Sequence, residues 1–98
     1  MKKKILSYED IDNATKVLGL IGLENRNMIK KKYLELSKKH HPDMIDGDTK
    51  KFQDINKSYK IIEQYLDDFK FDFTKEEFYN QNPYAALQED KEWFKKKH

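Results

Sequence analysis

The stretch KKHHPDMIDGDTKKF, residues 38–52, connects two long helical patterns and so decides the fold. Pro42 disfavours helical backbone at the residue before it and has no N–H of its own. A helix that enters this stretch must therefore end at about His40. The tripeptide His41-Pro42-Asp43 is then predicted to lie on a loop between two helices, where its side chains are accessible.

The second half of the stretch is typical of a loop that leads into a new helix. Gly47 tolerates a positive φ, and Asp48 or Thr49 is suited to cap the following helix. Apolar residues then recur at helical spacing, namely Phe52, Ile55, Tyr59, Ile62 and Leu66. This pattern predicts a helix over about residues 49–67.

The first half of the stretch completes an earlier helix of the same kind, predicted over about residues 27–40 after a cap at Asn25 or Asn27. Its apolar stripe consists of Ile29, Tyr33, Leu36 and His40. The opposite face carries an exposed leucine ringed by lysines, namely Lys30, Lys31, Leu34 and Lys38. Two apolar stripes joined by a short loop predict an antiparallel helical hairpin.

Cap signals predict three shorter helices, at about residues 8–18, 75–80 and 83–95. The first follows Ser7, whose hydroxyl is suited to cap it, and has Asp10 in its first turn. The second follows Thr74, which precedes a glutamate by three residues, and the third begins with Pro83 after an asparagine. We therefore expect an all-α protein.

The composition argues against several classes of protein. With 20 basic and 18 acidic residues the net charge is +2, and Arg26 is the sole arginine, so binding to nucleic acid through the lysines is not expected. The chain has no cysteine for a thiolate metal site, and its three glycines form no phosphate-binding loop. We expect no enzymatic activity, cofactor, bound metal or membrane span, and a monomeric cytoplasmic protein.

A metal site is an alternative use of the loop. His40, His41 and Asp43 are ligand types, but no further ligand is spaced to complete a site. A calcium loop starting at Asp43 fails because Ile45 occupies the third position and Asp54 the twelfth, where a bidentate glutamate is expected. A turn that presents side chains to a partner is therefore preferred.

Three segments of the chain closely resemble the J-domain of DnaJ-type co-chaperones. They are VLGL at residues 17–20, IKKKYLELSKKHHPD at 29–43 and KFQDINKSYKII at 51–62. They occur in the order that the family shows, and the resemblance covers roughly residues 8–66. It implies a J-domain over residues 1–68 and an aromatic-rich helical C-terminal extension over residues 69–98, packed on or next to it.

The resemblance also implies a function. A J-domain docks on a DnaK-type chaperone through an exposed His-Pro-Asp tip and the positive face of its second helix, and it speeds ATP hydrolysis by that chaperone. Asp43 is suited to accept a charge-assisted hydrogen bond from a partner arginine, and proline reduces the number of conformations lost on docking. The expected chaperone-binding residues are His41, Pro42, Asp43, Lys30, Lys31, Leu34 and Lys38.

Departures from the family pattern leave a second interpretation open. Leu34 and Glu35 follow Tyr33, where basic residues are frequent in the family, and Met44 stands where arginine is frequent. The basic Gln-Lys-Arg-Ala motif of the family's fourth helix is absent. The alternative is therefore a degenerate J-like scaffold or regulator that does not stimulate ATP hydrolysis.

The aromatic extension also has two interpretations. In the first, its aromatic side chains pack as core along a secondary stripe formed by Ile61, Tyr65 and Phe69. In the second, they leave an apolar patch that binds a client or a recruiting partner. The members of that patch would be Phe71, Phe73, Tyr84, Trp93 and Phe94.

Overall fold

The structure, a computed structural model, describes residues 5–88 and has no strand in that part of the chain. Its helices are α1 (Tyr8–Leu18), α2 (Arg26–Lys39), α3 (Thr49–Asp68) and α4 (Lys75–Gln81), followed by a helical segment over residues 83–88. The all-α prediction is confirmed, and α1 to α4 begin and end within one residue of the predicted bounds. The remainder of the helix predicted over residues 83–95 lies outside the described residues. Among those described, no helix combines the length and the apolar character needed to cross a membrane.

Side-chain caps explain why the helices begin where they do. At the start of α1 the Ser7 hydroxyl accepts the Asp10 N–H at 3.1 Å, and the Asp10 carboxylate accepts the Ser7 N–H at 3.0 Å. Asn25 caps α2, Asp48 caps α3 and Thr74 caps α4, each by accepting a backbone N–H of the first turn. Caps of this kind contribute about 1 kcal/mol each. The starts of the helices are therefore fixed by local interactions.

The core is small and lies where α1, α2 and α3 meet. It consists of Ala14, Leu18, Ile29, Ile55 and Ile62. α1 packs mainly on α3, and α2 packs along α3. Leu18 is the largest fully buried side chain, at 1% exposure, and full burial of a leucine contributes about 2 kcal/mol. The fold therefore depends on few apolar side chains.

α2 and α3 form the predicted antiparallel hairpin. At its open end the Arg26 guanidinium lies 2.9 Å from the Asp67 carboxylate. Near its middle the rings of Tyr33 and Tyr59 stack with centroids 4.0 Å apart, and the Tyr33 hydroxyl donates a hydrogen bond of 2.8 Å to Asn56 Oδ1. Burial raises the pKa of the Tyr59 phenol above its ordinary value. These contacts align the two helices and leave the connecting loop at the far end.

One carboxylate holds the connection between α1 and α2. The Glu24 side chain is 5% exposed and accepts the backbone N–H groups of Ile21 and Gly22. It also accepts a hydrogen bond of 2.8 Å from Lys32 Nζ, which in addition donates to the Gly19 carbonyl at the end of α1. The Lys32 ammonium, together with the two loop amides, lowers the pKa of the Glu24 carboxyl. Glu24 and Lys32 thus join α2 to the loop that precedes it.

Acid is expected to weaken the fold through this carboxylate. Because the folded-state pKa of Glu24 lies below its ordinary value of 4.5, the stabilisation is complete above that value and is lost as the pH falls through the lowered pKa. Replacing Glu24 with glutamine is expected to reduce the free energy of unfolding by about 1–2 kcal/mol at neutral pH. The variant should also depend less on pH in acid. Urea unfolding at several pH values measures both effects.

Glu35 provides the matched control for this experiment, because it is an exposed glutamate on α2. Replacing Glu35 with glutamine should leave both the stability at neutral pH and the acid sensitivity close to those of the wild type. Equal behaviour of the Glu24 and Glu35 variants would contradict the role assigned to Glu24.

Beyond α3 the described part of the extension leaves the helical body. The backbone of α4 does not lie close to the backbone of α1, α2 or α3. The rings of Tyr65, Phe69 and Phe71 meet edge to face in succession, yet Phe71 is 70% exposed and Phe73 is 94% exposed. Phe71 and Phe73 therefore do not pack as core, contrary to the first interpretation of the extension. The domain boundary at residue 68 stays a prediction.

Candidate functional site

The loop between α2 and α3 consists of two consecutive hydrogen-bonded turns. The His41 carbonyl accepts the Met44 N–H at 2.9 Å, and the Met44 carbonyl accepts the Gly47 N–H, also at 2.9 Å. The His40 carbonyl accepts the Asp48 N–H at 3.1 Å and closes the loop across its base. These bonds fix the backbone that carries the His-Pro-Asp tripeptide, which lies at the tip of the hairpin.

The His41 imidazole is oriented by contacts on two sides. Its Nδ1 accepts the Asp43 backbone N–H at 3.1 Å, and its ring meets the Phe52 ring edge to face, with centroids 5.0 Å apart. Because Nδ1 is an acceptor, the neutral imidazole carries its proton on Nε2. The side chain is 46% exposed, and Nε2 has no hydrogen-bond partner among residues 5–88. The ring is therefore held in one orientation and keeps a donor for a partner.

Pro42 and Asp43 complete an exposed tip. The Asp43 side chain is 91% exposed, and its Oδ2 lies 3.7 Å from His41 Nδ1, which is too far for a hydrogen bond. A carboxylate that faces solvent in this way is suited to bidentate hydrogen bonding with a guanidinium group. The tip thus presents an acceptor beside a donor on an ordered backbone.

The remaining predicted site residues lie on the exposed face of α2. Leu34 is 52% exposed, and the lysines that surround it on the helical wheel, Lys30, Lys31 and Lys38, are exposed as well. Lys38 precedes His41 by three residues, so the face reaches to within about one helical turn of the tip. The predicted face and the predicted tip are therefore neighbouring surfaces.

Comparison with protein families gives one match that covers most of this architecture. The family model described as the DnaJ domain matches residues 8–67, from the first residue of α1 almost to the end of α3. The chain belongs to the DnaJ-domain family. The J-domain predicted from the three sequence segments is thereby confirmed.

Curated relatives are similar to about half of this J-domain protein. Protein SIS1 of Saccharomyces cerevisiae is 37% identical over 51 residues, which is 49% of this chain and 14% of the relative. DnaJ homolog dnj-20 of Caenorhabditis elegans is 40% identical over 50 residues, which is 48% of this chain and 14% of the relative. Chaperone protein DnaJ of Rickettsia akari is 39% identical over 49 residues, which is 48% of this chain and 13% of the relative. The chain thus spans only 13–14% of the length of these relatives, and no solved structure matches it.

The geometry of the J-domain adds residues that sequence patterns did not assign to the tip. Glycine tolerates a positive φ, but the φ of Gly47 is not positive, so the turn does not use this freedom. A Cβ at Gly47 would overlap the His41 carbonyl oxygen, so this position accommodates only a residue without a Cβ. Phe52, predicted as part of an apolar stripe, also contacts the His41 ring. The glycine was visible in the sequence, but its contact with a residue six positions earlier was not.

Proposed function

We propose that this protein is a co-chaperone that docks on a DnaK-type chaperone through His41-Pro42-Asp43 and stimulates its ATP hydrolysis. The observation that carries the proposal is the hydrogen-bonded, exposed tip of the hairpin in a member of the DnaJ-domain family. An ordered and accessible tripeptide at the end of two packed helices is suited to reach into a partner's surface.

The tip acts by binding. Asp43 offers its carboxylate to a partner guanidinium, and His41 offers its Nε2–H to an acceptor. Pro42 and the two turns reduce the ordering that docking would otherwise require. Docking favours the conformation of the chaperone that is competent for hydrolysis, and the phosphoryl transfer takes place in the chaperone. We therefore infer that this chain has no enzymatic role of its own.

The lysine face of α2 supports encounter with an acidic surface of the chaperone. Lys30, Lys31 and Lys38 place positive charge around the exposed Leu34, close to the tip. Complementary charges of this kind mainly raise the rate of association, and salt screens them. We propose that this face docks first and that the tip then completes the complex.

Single-turnover ATP hydrolysis by a DnaK-type chaperone tests the proposal. The hydrolysis rate is measured without addition and with increasing amounts of the wild-type protein. The rate is expected to rise with concentration and to saturate. A constant rate with every cognate chaperone tried would contradict the proposal.

Removing the charges of the α2 face is expected to weaken docking. In the same assay, the concentration required for half-maximal stimulation should rise about tenfold at low salt and by a smaller factor at high salt. Maximal stimulation should persist because the tip is unchanged. The variant combines Lys30→Gln, Lys31→Gln and Lys38→Gln.

A second triple variant separates the position of the charges from their number. Three other exposed lysines, on α3 and just after it, are Lys57, Lys60 and Lys70. Replacing these three with glutamine changes the net charge by the same amount and should leave the half-maximal concentration close to that of the wild type. Equal effects of the two triple variants would show that net charge, and not the α2 face, governs docking.

A scaffold or regulator without ATPase stimulation is the second candidate function. The observation that favours it is the α2 surface itself, where Leu34 and Glu35 are exposed at positions that are frequently basic in the family. Such a protein would bind the chaperone without raising the rate of hydrolysis. A binding measurement in parallel with the hydrolysis assay distinguishes the two functions.

We also propose that the C-terminal extension recruits a client or a partner protein. Phe71, Phe73 and Tyr84 are large side chains that are exposed to solvent, and exposed apolar groups of this kind are available to bind a partner. Trp93 and Phe94, the other predicted members of this patch, lie outside the described residues. We propose that the protein acts as a monomer in the cytoplasm.

A further inference from the structure

Gly47 lies directly against the backbone of the tip. A Cβ at this position would overlap the His41 carbonyl oxygen and would lie 3.0 Å from both the His41 carbonyl carbon and the Met44 carbonyl oxygen. All three are backbone atoms, so no side-chain rotation can relieve the overlap. Any residue other than glycine must therefore displace the His41 carbonyl or the turn that follows it.

The position of the His41 carbonyl controls two hydrogen bonds. This carbonyl accepts the Met44 N–H and thereby closes the turn over residues 41–44. Closing the turn brings the Asp43 N–H to 3.1 Å from the His41 Nδ1. If the His41 carbonyl moves, the turn opens and the Asp43 N–H can no longer donate its hydrogen bond to Nδ1 of the His41 ring. Nδ1 then no longer has the donor that makes it an acceptor.

We infer that Gly47 is a positioning residue for His41. Because Gly47 has no Cβ, the His41 carbonyl can take the position that closes the turn over residues 41–44. This turn favours the Nε2–H tautomer of His41 and leaves the Nε2 proton available to the partner. The importance of this arrangement for ATP hydrolysis rests on the proposed function, whereas the tautomer is a property of the free protein. Gly47 thus sets the orientation of the tip through the backbone of His41.

Nitrogen-15 NMR of the histidine rings tests the geometric part on the full chain without a chaperone. At a pH where the ring is neutral, His41 of the wild type should show the Nε2–H tautomer. Gly47→Ala should show a mixture of the two tautomers. Gly19→Ala is the control, because a Cβ at Gly19 meets no atom within 4 Å. Its φ of +68° is unfavourable for alanine, but that backbone strain lies at the end of α1, away from the tip. An unchanged tautomer in Gly47→Ala would overturn the inference.

Single-turnover hydrolysis tests the functional part. At a fixed protein concentration, Gly47→Ala should lose stimulation about tenfold, the loss expected when a specific hydrogen bond to the partner is no longer formed. Gly19→Ala should stimulate like the wild type at a temperature where both variants are folded. Equal stimulation by Gly47→Ala and Gly19→Ala would overturn the positioning role. A silent wild type would instead contradict the proposed function, and the tautomer measurement would still decide whether Gly47 positions His41.

The unmodified protein supplies an independent measurement that does not require a folded variant. A scalar coupling across the hydrogen bond should connect the Met44 amide nitrogen with the His41 carbonyl carbon. Its absence would overturn the inference, because the turn that Gly47 is inferred to permit would not be formed.

Discussion

Replacing His41 with glutamine is expected to abolish stimulation of ATP hydrolysis by a DnaK-type chaperone. Glutamine lacks both the ring that meets Phe52 and the Nδ1 that accepts the Asp43 N–H, so its amide donor is not held in the orientation of Nε2–H. Leaving an acceptor of the partner without a donor in a desolvated interface lowers the binding free energy by about 1–3 kcal/mol. We therefore expect single-turnover rates to fall at least about tenfold, towards the rate of the chaperone alone.

The helices should persist in this variant, because His41 lies outside α2 and α3 and is half exposed. Circular dichroism and thermal unfolding verify this point. His40→Gln is the matched control, since it makes the same chemical change at the adjacent residue, whose backbone carbonyl closes the loop. The folded His40 variant should still stimulate hydrolysis. An equal loss in both variants would mean that the His41 ring has no specific role.

Truncating Leu18 to alanine is expected to lower the free energy of unfolding by about 3 kcal/mol. Leu18 is 1% exposed and lies in the core where α1 meets the α2–α3 hairpin, so the change leaves a cavity that the surrounding helices cannot fill. A domain of this size has only about 5 kcal/mol of stability. The melting temperature should therefore fall by about 15 °C.

Leu23→Ala is the matched control for this prediction. Leu23 carries the same side chain but is fully exposed in the connection between α1 and α2. Its truncation should change the free energy of unfolding by less than about 0.5 kcal/mol. Urea unfolding of both variants measures the difference, and similar values for Leu18 and Leu23 would contradict the core assignment.

The helices could be predicted from the sequence because the interactions that set them are local. The hydroxyl of Ser7 and the side chains of Asn25 and Asp48 accept hydrogen bonds from amides three residues ahead, and each of these residues immediately precedes a helix. Apolar residues at helical spacing then identify the buried face, as Ile55 and Ile62 illustrate on α3. Interactions between residues three or four positions apart can be predicted from the linear sequence.

The candidate site could be predicted in part for the same reason. Pro42 ends α2 through its effect on neighbouring backbone, so the tripeptide had to lie on a loop. The helical wheel likewise separated the exposed Leu34 from the half-buried Tyr33. The partners of Lys32 could not be predicted, because the Glu24 carboxylate and the Gly19 carbonyl reach its ammonium group only when the α1–α2 connection folds back on α2.

The sequence by itself determined where the helices lie, which faces are apolar and which residues form the tip. Only the tertiary structure decided how that tip is held. The His41 ring is oriented by Phe52, eleven residues further along the chain, and the carbonyl of His41 occupies space that Gly47 leaves open. The reason is physical: caps and periodicity act within about one helical turn, whereas close packing depends on atoms that approach one another only after the chain has turned back on itself.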